Sequence, residues 1–473
     1  MTITINTETT TMRTTTSRRS ALALALSVAL APACGDDESA SASATEGATD
    51  TDADTSGDTD GAALTYWQEV APIYFDRCVA CHQAGGIAPF ALDNYADAKT
   101  WGPASAAATA ARTMPPWLVR DDGTCGDFAG SRALAEDEIA AIGAWVDGGM
   151  AEGTPRDDLA IPQVDALKGT MTLKTPTFAP EIAGGPLAEF DEYRCFLVDP
   201  GLDADAFLTA YDVHPGTPSI VHHVLAMPID PSYDVGGGMT NLDLVEALDA
   251  ESPDREGWPC FGAAGDGVEV DDFPVVWAPG QGVVRYPEGT GVRLHADDLV
   301  VIQVHYNMDR PELLGLTDTT EVELVLADEV ETEGHYLALD LFLDTLGEDT
   351  PATLPAGEAH TTYTWEVDLG AWAPYLGWSS VNVRGLFPHM HDHGQTMRVE
   401  IDPDGAGYEC AADVPRWDFN WQLQYFLDQP LTLNEAGMLR VTCGYNTEAA
   451  EGPVLPGWGT GNEMCFLGLF VTP

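Results

Sequence analysis

The chain has 473 residues, with 76 Asp+Glu against 20 Lys+Arg and a formal net charge of −56. That balance excludes a nucleic-acid binder and a basic lipid-binding patch, because nothing would neutralise phosphates. Hydrophobic residues make up 45% of the chain, enough for real cores, and at about 100–200 residues per domain the length predicts two to four domains. A Lys-poor, acid-rich surface fits a soluble protein in a salty, screened environment.

Arg13, Arg18 and Arg19 precede a short apolar run, Ala21 to Pro32. The run is too short to span a bilayer but suits a signal peptide, which assigns residues 1–33 to export. Ala33 before Cys34 resembles a bacterial lipoprotein site, where Cys34 would be lipidated and become the mature N-terminus. Ala31 stands where such sites usually carry Leu, and Ala31 with Ala33 also forms an A-x-A site for ordinary cleavage. Both readings place the protein outside the cytoplasm, in the periplasm or at the cell surface. Any membrane contact is expected only through the lipid anchor. Residues 34–63 follow as an acidic tether, and 35–63 contain no Lys, Arg or aromatic residue.

Residues 64–155 are expected to form a small all-α domain. An aromatic-rich helical segment from Tyr66 leads into Cys78-Val79-Ala80-Cys81-His82. Cys-x-x-Cys-His is the attachment pattern of haem c: two thiols bond the vinyl groups and the adjacent His ligates iron. A redox CxxC or part of a zinc site are the alternatives. Met114, in Arg112-Thr113-Met114-Pro115-Pro116-Trp117, is the candidate sixth ligand, a thioether that suits electron transfer. Met150 is its rival, read as a packing residue. Glu136 to Val146 reads as a closing helix that stops at Gly148-Gly149. The segment resembles a small bacterial c-type cytochrome.

From residue 165 the texture changes to short apolar or alternating runs split by Gly, Pro and Asp, such as Leu299 to Tyr306 and Thr320 to Leu326. This predicts antiparallel β-sandwiches; Leu242–Leu248 is the best helical stretch. The histidines cluster: His222-His223 in one run, His305 near the end of another, and His389-Met390-His391 in a third. Imidazole suits copper and thioether selects its reduced state. An H-x-H pair on a strand points both rings to one face. An adjacent H-H pair diverges on a regular strand, so a bend must bring both rings to one metal.

These residues resemble the copper type II ascorbate-dependent monooxygenases, the family of peptidylglycine α-hydroxylating monooxygenase and dopamine β-monooxygenase. That family carries one copper on H-H plus a later H, and another on H-x-H plus a Met in E-M-C, here Glu463-Met464-Cys465. The segments Asp191 to Cys195 and Trp277 to Gly280 are similar to it as well. The resemblance implies two jelly-roll-like sandwiches, placed at 165–332 and 333–473. It also implies two copper ions. His222, His223 and His305 would hold the electron-passing one. His389, His391 and Met464 would hold the catalytic one, which binds O₂. Ascorbate or another external reductant, or a redox partner protein, is further implied. Peptide-amidating members place an Arg before the H-x-H pair and an Asn and a Tyr after the Met; here Phe387, Phe466 and Gly468 stand there, which speaks against peptide amidation.

Nine Cys divide into Cys34, the haem thiols Cys78 and Cys81, and six others. Export favours disulfides. The family resemblance pairs Cys443 with Cys465; Cys195 and Cys260 could pair, and Cys125 and Cys410 stay unassigned. The whole reads as a multidomain oxidoreductase: a small all-α cytochrome c domain, then two all-β jelly-roll-like sandwiches. It would hydroxylate a C–H bond of a small molecule with O₂, using electrons supplied or relayed by its haem. The alternatives are a non-catalytic copper/haem electron-transfer protein and a haem domain that senses redox state.

Overall fold

The structure is a computed structural model that describes residues 63–473 except 85, 87, 162–166, 183–189, 262 and 349. Cys34 and the export segment lie outside the described residues. Ala63–Pro473 form one compact unit. No helix among the described residues is long and apolar enough to cross a membrane.

The first part is helical. Tyr66–Val70 and Ala71–Arg77 run continuously, followed by Tyr95–Ala110 and Glu136–Asp147. Asn94 caps the second stretch by accepting the Asp97 N–H (3.0 Å). Glu138 accepts the Ala135 N–H (2.8 Å) at the start of the last helix, which Gly148 ends. Tyr66, Tyr74, Ile142 and Trp145 are fully buried in a core of their own.

The remainder is mostly β, consistent with β-sandwich domains. In the first sandwich, one sheet orders Met171–Lys174, Glu321–Ala327, Ala206–His214, Thr290–Leu294 and Thr332–Glu333. The facing sheet orders Trp258–Pro259, Asp191–Val198, Leu299–Asn307, Val221–Ile229 and Val275–Trp277. Strand Leu299–Asn307 shows why its residues are apolar on both faces. Val300, Ile302, Val304 and Tyr306 enter the core between the sheets, and Val301 enters a second core on the outer face. The helix Asn241–Ala250 contributes Val245 to that outer core, and the Cys195–Cys260 disulfide lies in it.

The second sandwich faces His335–Leu339, Phe466–Thr472, Val381–His389 and Tyr425–Leu433 against Thr361–Val367, Met438–Tyr445, Gly394–Asp402 and Glu409–Val414. The Cys443–Cys465 disulfide joins its two sheets just ahead of Phe466–Thr472. Aromatic and polar contacts bind the sandwiches together, with Tyr286 stacked on Phe470 (5.0 Å between centroids) and the Tyr211 hydroxyl donating to Gln424 Oε1 (3.2 Å).

The chain linking helices Tyr95–Ala110 and Glu136–Asp147 belongs partly to the second sandwich. Leu118, Val119 and Phe128 sit in that sandwich's core, and Cys125 is disulfide-bonded to Cys410.

Candidate metal centre

His223 and His305 face each other across neighbouring strands, but the next pair in register is Val221 with Tyr306. His222 is the extra residue of a β-bulge. Val221 and Val224 both point into the core, so the two residues between them both point out. The bulge is the bend that an adjacent H-H pair requires. It leaves the three Nδ1 atoms in a near-equilateral triangle: His222 to His223 3.4 Å, His222 to His305 3.3 Å, His305 to His223 3.2 Å. Such a triangle has its centre about 1.9 Å from each corner, close to the roughly 2.0 Å of a metal–imidazole bond.

The tautomers agree with this use. His305 Nε2 lies 3.1 Å from the Asp191 carboxylate, so the Nε2–H is donated there and Nδ1 presents its lone pair. Asn307 (2.8 Å) and Thr460 (2.7 Å) donate to the same carboxylate. Burial alone would raise the Asp191 carboxyl, but these donors, His305 first, hold it well below the usual range. Tyr193 stacks flat on His305 (3.9 Å) and Phe419 on His222 (4.3 Å). Burial keeps His222 and His223 neutral, with pKa values pushed well below the ordinary 6.5.

The strand Asp191–Val198 thereby accounts for its sequence. Asp191 and Tyr193 face His305, and Cys195 is bonded to Cys260. The buried Arg194 holds the 252–257 loop through Ser252 and the carbonyls of Arg255, Glu256 and Gly257. Gly280 has φ +86, and a Cβ there would collide with Trp421, so only glycine fits.

His389 ends its strand and His391 lies two residues on. The Met390 between them is fully buried in the sandwich core, so both rings turn to the other side, as period two requires. Their ring centroids are 5.1 Å apart. His389 Nδ1 is 2.5 Å from Gln422 Oε1 and His391 Nδ1 is 3.1 Å from the Asn462 carbonyl. Each Nδ1–H is thus donated and each Nε2 is free for a metal. Burial lowers their pKa values to about 4 and about 3. Met464 lines the same cavity and is buried. The Tyr445 hydroxyl holds its carbonyl (2.7 Å).

Glu463 is a residue that the sequence reading missed. It is fully buried and accepts the backbone N–H groups of His391 (3.0 Å), His393 (2.7 Å) and Met464 (3.2 Å). It therefore pins the H-x-H turn to the Met464 segment. Burial raises its carboxyl to about 8 against the pull of those donors. Asp340 acts likewise on Cys465 (3.1 Å), and burial raises it to about 7.

Between the two sandwiches lies a cavity of about 310 Å³. His223, His389, His391 and Met464 all line it, and its walls include Leu225, Phe273, Val276, Phe387 and Phe466. Among the described residues its lining includes no Lys or Arg. His223 and His389 have centroids only 6.4 Å apart, so the two histidine groups adjoin.

In the helical part, Cys78 and Cys81 are free and half-buried in the turn after helix Ala71–Arg77. The His82 N–H bonds the Cys78 carbonyl (2.9 Å), which brings the CxxCH residues onto one turn. His82 Nδ1 is 3.1 Å from the Phe90 carbonyl, leaving Nε2 free. Met114 is half-buried on the linking segment, whereas the Met150 sulfur packs against Gly102. Other side chains occupy these unassigned histidines, Asp205 for His295 (3.3 Å), the buried Asp272 for His335 (3.4 Å) and Gln395 for His360 (3.2 Å). His214 is near Asp212 and Glu323.

Comparison with known proteins bears on this arrangement. Residues 369–470 match the family described as copper type II ascorbate-dependent monooxygenase, C-terminal domain. The chain is 27% identical over 205 residues to a protein named DBH-like monooxygenase protein 1 from Gallus gallus, covering 42% of this chain and 32% of that one. The Mus musculus protein of the same name is 26% identical over 207 residues, covering 42% and 33%. The match thus spans about a third of the length of these relatives. Among solved structures, an empty particle of cowpea mosaic virus aligns at a TM-score of 0.28 and 12% identity, over 67% of this chain and 95% of that one. Part of the chain is thus similar to proteins named as copper-dependent or DBH-like monooxygenases. The matched family is described as copper- and ascorbate-dependent. The three disulfides fit an oxidising compartment.

Proposed function

We propose that the chain is an extracytoplasmic two-copper monooxygenase that hydroxylates a C–H bond of a small organic substrate with O₂ and draws electrons through its own haem c. His222, His223 and His305 hold one copper; His389, His391 and Met464 hold the other and form the catalytic site. The observation that carries this is the Nδ1 triangle beside an apolar cavity that also holds an imidazole pair and a thioether. Copper supplies the one-electron steps and the activation of O₂ that no protein side chain provides.

The chain's own residues do the rest. Asp191, Gln422 and the Asn462 carbonyl fix the tautomers of His305, His389 and His391, and burial keeps His222, His223, His389 and His391 neutral toward a metal. Phe387, Phe466, Phe273 and Leu225 exclude water and favour an apolar or aromatic substrate. The described lining has no Lys or Arg to pair with a peptide carboxylate, which speaks against peptide amidation. The free thiols of Cys78 and Cys81 and the open Nε2 of His82 fit covalent haem c, with Met114 as the distal ligand. The proposed domains are 64–155, 165–332 and 333–473, with lipidated Cys34 anchoring the acidic tether. Ascorbate or a redox partner protein reloads the haem.

The test is a screen of small aromatic and aliphatic compounds with the full, copper-loaded chain and ascorbate, in ¹⁸O₂. Coupled O₂ uptake with one labelled oxygen per product is expected. Uptake that yields no labelled product from any compound, or conversion of a glycine-extended peptide, overturns the corresponding part.

A further inference from the structure

The helical part is clamped to the second sandwich by the segment after helix Tyr95–Ala110. The Arg120 N–H bonds the Asp413 carbonyl (2.7 Å), and its guanidinium the Asp413 carboxylate (2.8 Å). Leu118 N–H donates to the Tyr425 hydroxyl (3.1 Å), Trp117 packs edge-on against Tyr425 (4.9 Å), and Cys125 is bonded to Cys410. Arg132 reaches the first sandwich, donating to the carbonyls of Gly280 (3.0 Å) and Gln281 (3.3 Å).

The start of this segment, two residues before Met114, meets one particular loop. Arg416 donates to the Arg112 carbonyl (3.3 Å). From there the loop runs to both histidine groups. The Trp417 indole N–H donates to the His391 carbonyl (3.2 Å). Phe419 stacks on His222 and stands edge-on to His391 (6.2 Å). The Phe419 carbonyl accepts from Gln422 Nε2 (2.8 Å), and the same Gln422 holds His389. A single loop therefore touches the Met114 segment at one end and ligand candidates of both metals at the other. Electron transfer favours a continuous run of covalent and hydrogen bonds over a through-space jump, and this run is bonded from the exposed Arg416–Arg112 link through the buried Trp417 to His391.

We propose that the loop Arg416–Gln422 is the route by which electrons pass from the haem domain to copper, with Phe419 as the positioning residue at His222. The inference rests on the haem and copper assignments above. The step is balanced: ferrous haem gives one electron and becomes ferric, one cupric ion becomes cuprous, and no bond or proton moves.

The experiment is anaerobic flash reduction of the haem in the full chain loaded with haem and Cu(II). Haem absorbance and loss of the cupric resonance signal are followed together. Phe419→Leu and Arg416→Ala are each expected to slow haem reoxidation at least tenfold, with haem spectrum and bound copper as in the parent. Phe419→Trp, which keeps a ring on His222, is expected to restore the rate. Parent-like rates in both Phe419→Leu and Arg416→Ala overturn the route. Arg416 touches no candidate ligand, so its variant decides the matter even if Phe419→Leu loses copper. A parent chain that holds both cofactors yet shows no haem reoxidation refutes the haem-to-copper reading itself. A chain that takes up no haem or no copper refutes the assignments beneath it.

Discussion

Replacing Asp191 tests how the proposed copper site of His222, His223 and His305 is built. Its carboxylate accepts three buried hydrogen bonds, from His305 Nε2 (3.1 Å), Asn307 (2.8 Å) and Thr460 (2.7 Å). In Asp191→Ala all three donors lose their acceptor, each at about 1–3 kcal/mol, so the copper-free chain loses about 3 kcal/mol or more. His305 is also free to flip its tautomer and withdraw Nδ1 from the triangle. Loss of such a ligand-orienting partner costs roughly 10–100-fold in metal affinity, or about 1.4–2.7 kcal/mol. Asp191→Asn keeps an acceptor for His305 and can donate to Thr460, so it loses less than about tenfold. Because the carboxyl is held well below its usual range, its contribution is present above the ordinary carboxylate pKa and disappears only as pH falls below it. The assay is Cu(I) competition against a coloured chelator at neutral pH, with thermal unfolding of the copper-free variants. Parental affinity and stability in Asp191→Ala would refute the reasoning.

The copper-free chain is expected to weaken as pH falls from about 6.5 towards 4. Buried His389 and His391, lowered to about 4 and about 3, stay neutral while the unfolded chain takes up protons, at about 1.4 kcal/mol per pH unit for each. Urea unfolding at several pH values measures this, and a slope that vanishes in the parent contradicts it. Glu463 has the opposite sign. Its pKa of about 8 gives a contribution complete below about pH 4.3 and lost as pH rises through 8, so Glu463→Gln should flatten that limb and also weaken copper binding at Met464. Cys410→Ser removes the cross-link to Cys125 over a separation of 285 residues and should cost about 2–5 kcal/mol, read by denaturant midpoint and by faster proteolysis between 111 and 135.

The β content was legible because alternating and doubly apolar runs have few other uses. The H-x-H geometry followed from the strand period alone, and it is Met390 in the core that turns both rings outward. For His222-His223 the sequence demanded a bend but could not specify a bulge, since a bulge is defined by the partner strand at His305 and Tyr306. Helix Tyr95–Ala110 went unseen because it is Ala-rich with no apolar stripe and contains Gly102 and Pro103. The clamp over residues 112–132 was invisible for another reason. Its partners, Cys410, Asp413 and Tyr425, lie some three hundred positions away, and no local pattern encodes such pairings. Phe419 and Gln422 were hidden in the same way. Glu463 did leave a signal, a carboxylate directly before the candidate ligand Met464 and three residues ahead of the apolar strand Phe466–Thr472, where burial demands several donors.

X-ray absorption at the copper edge of the reduced, fully loaded chain bears most directly on the two-copper centre. Two copper ions per chain are expected, with imidazole nitrogen at both and one sulfur scatterer in the average environment. Met464→Leu should remove the sulfur and leave the nitrogen shell of the His222, His223 and His305 site intact. A single copper per chain, or a sulfur signal that survives Met464→Leu, would contradict the centre described here.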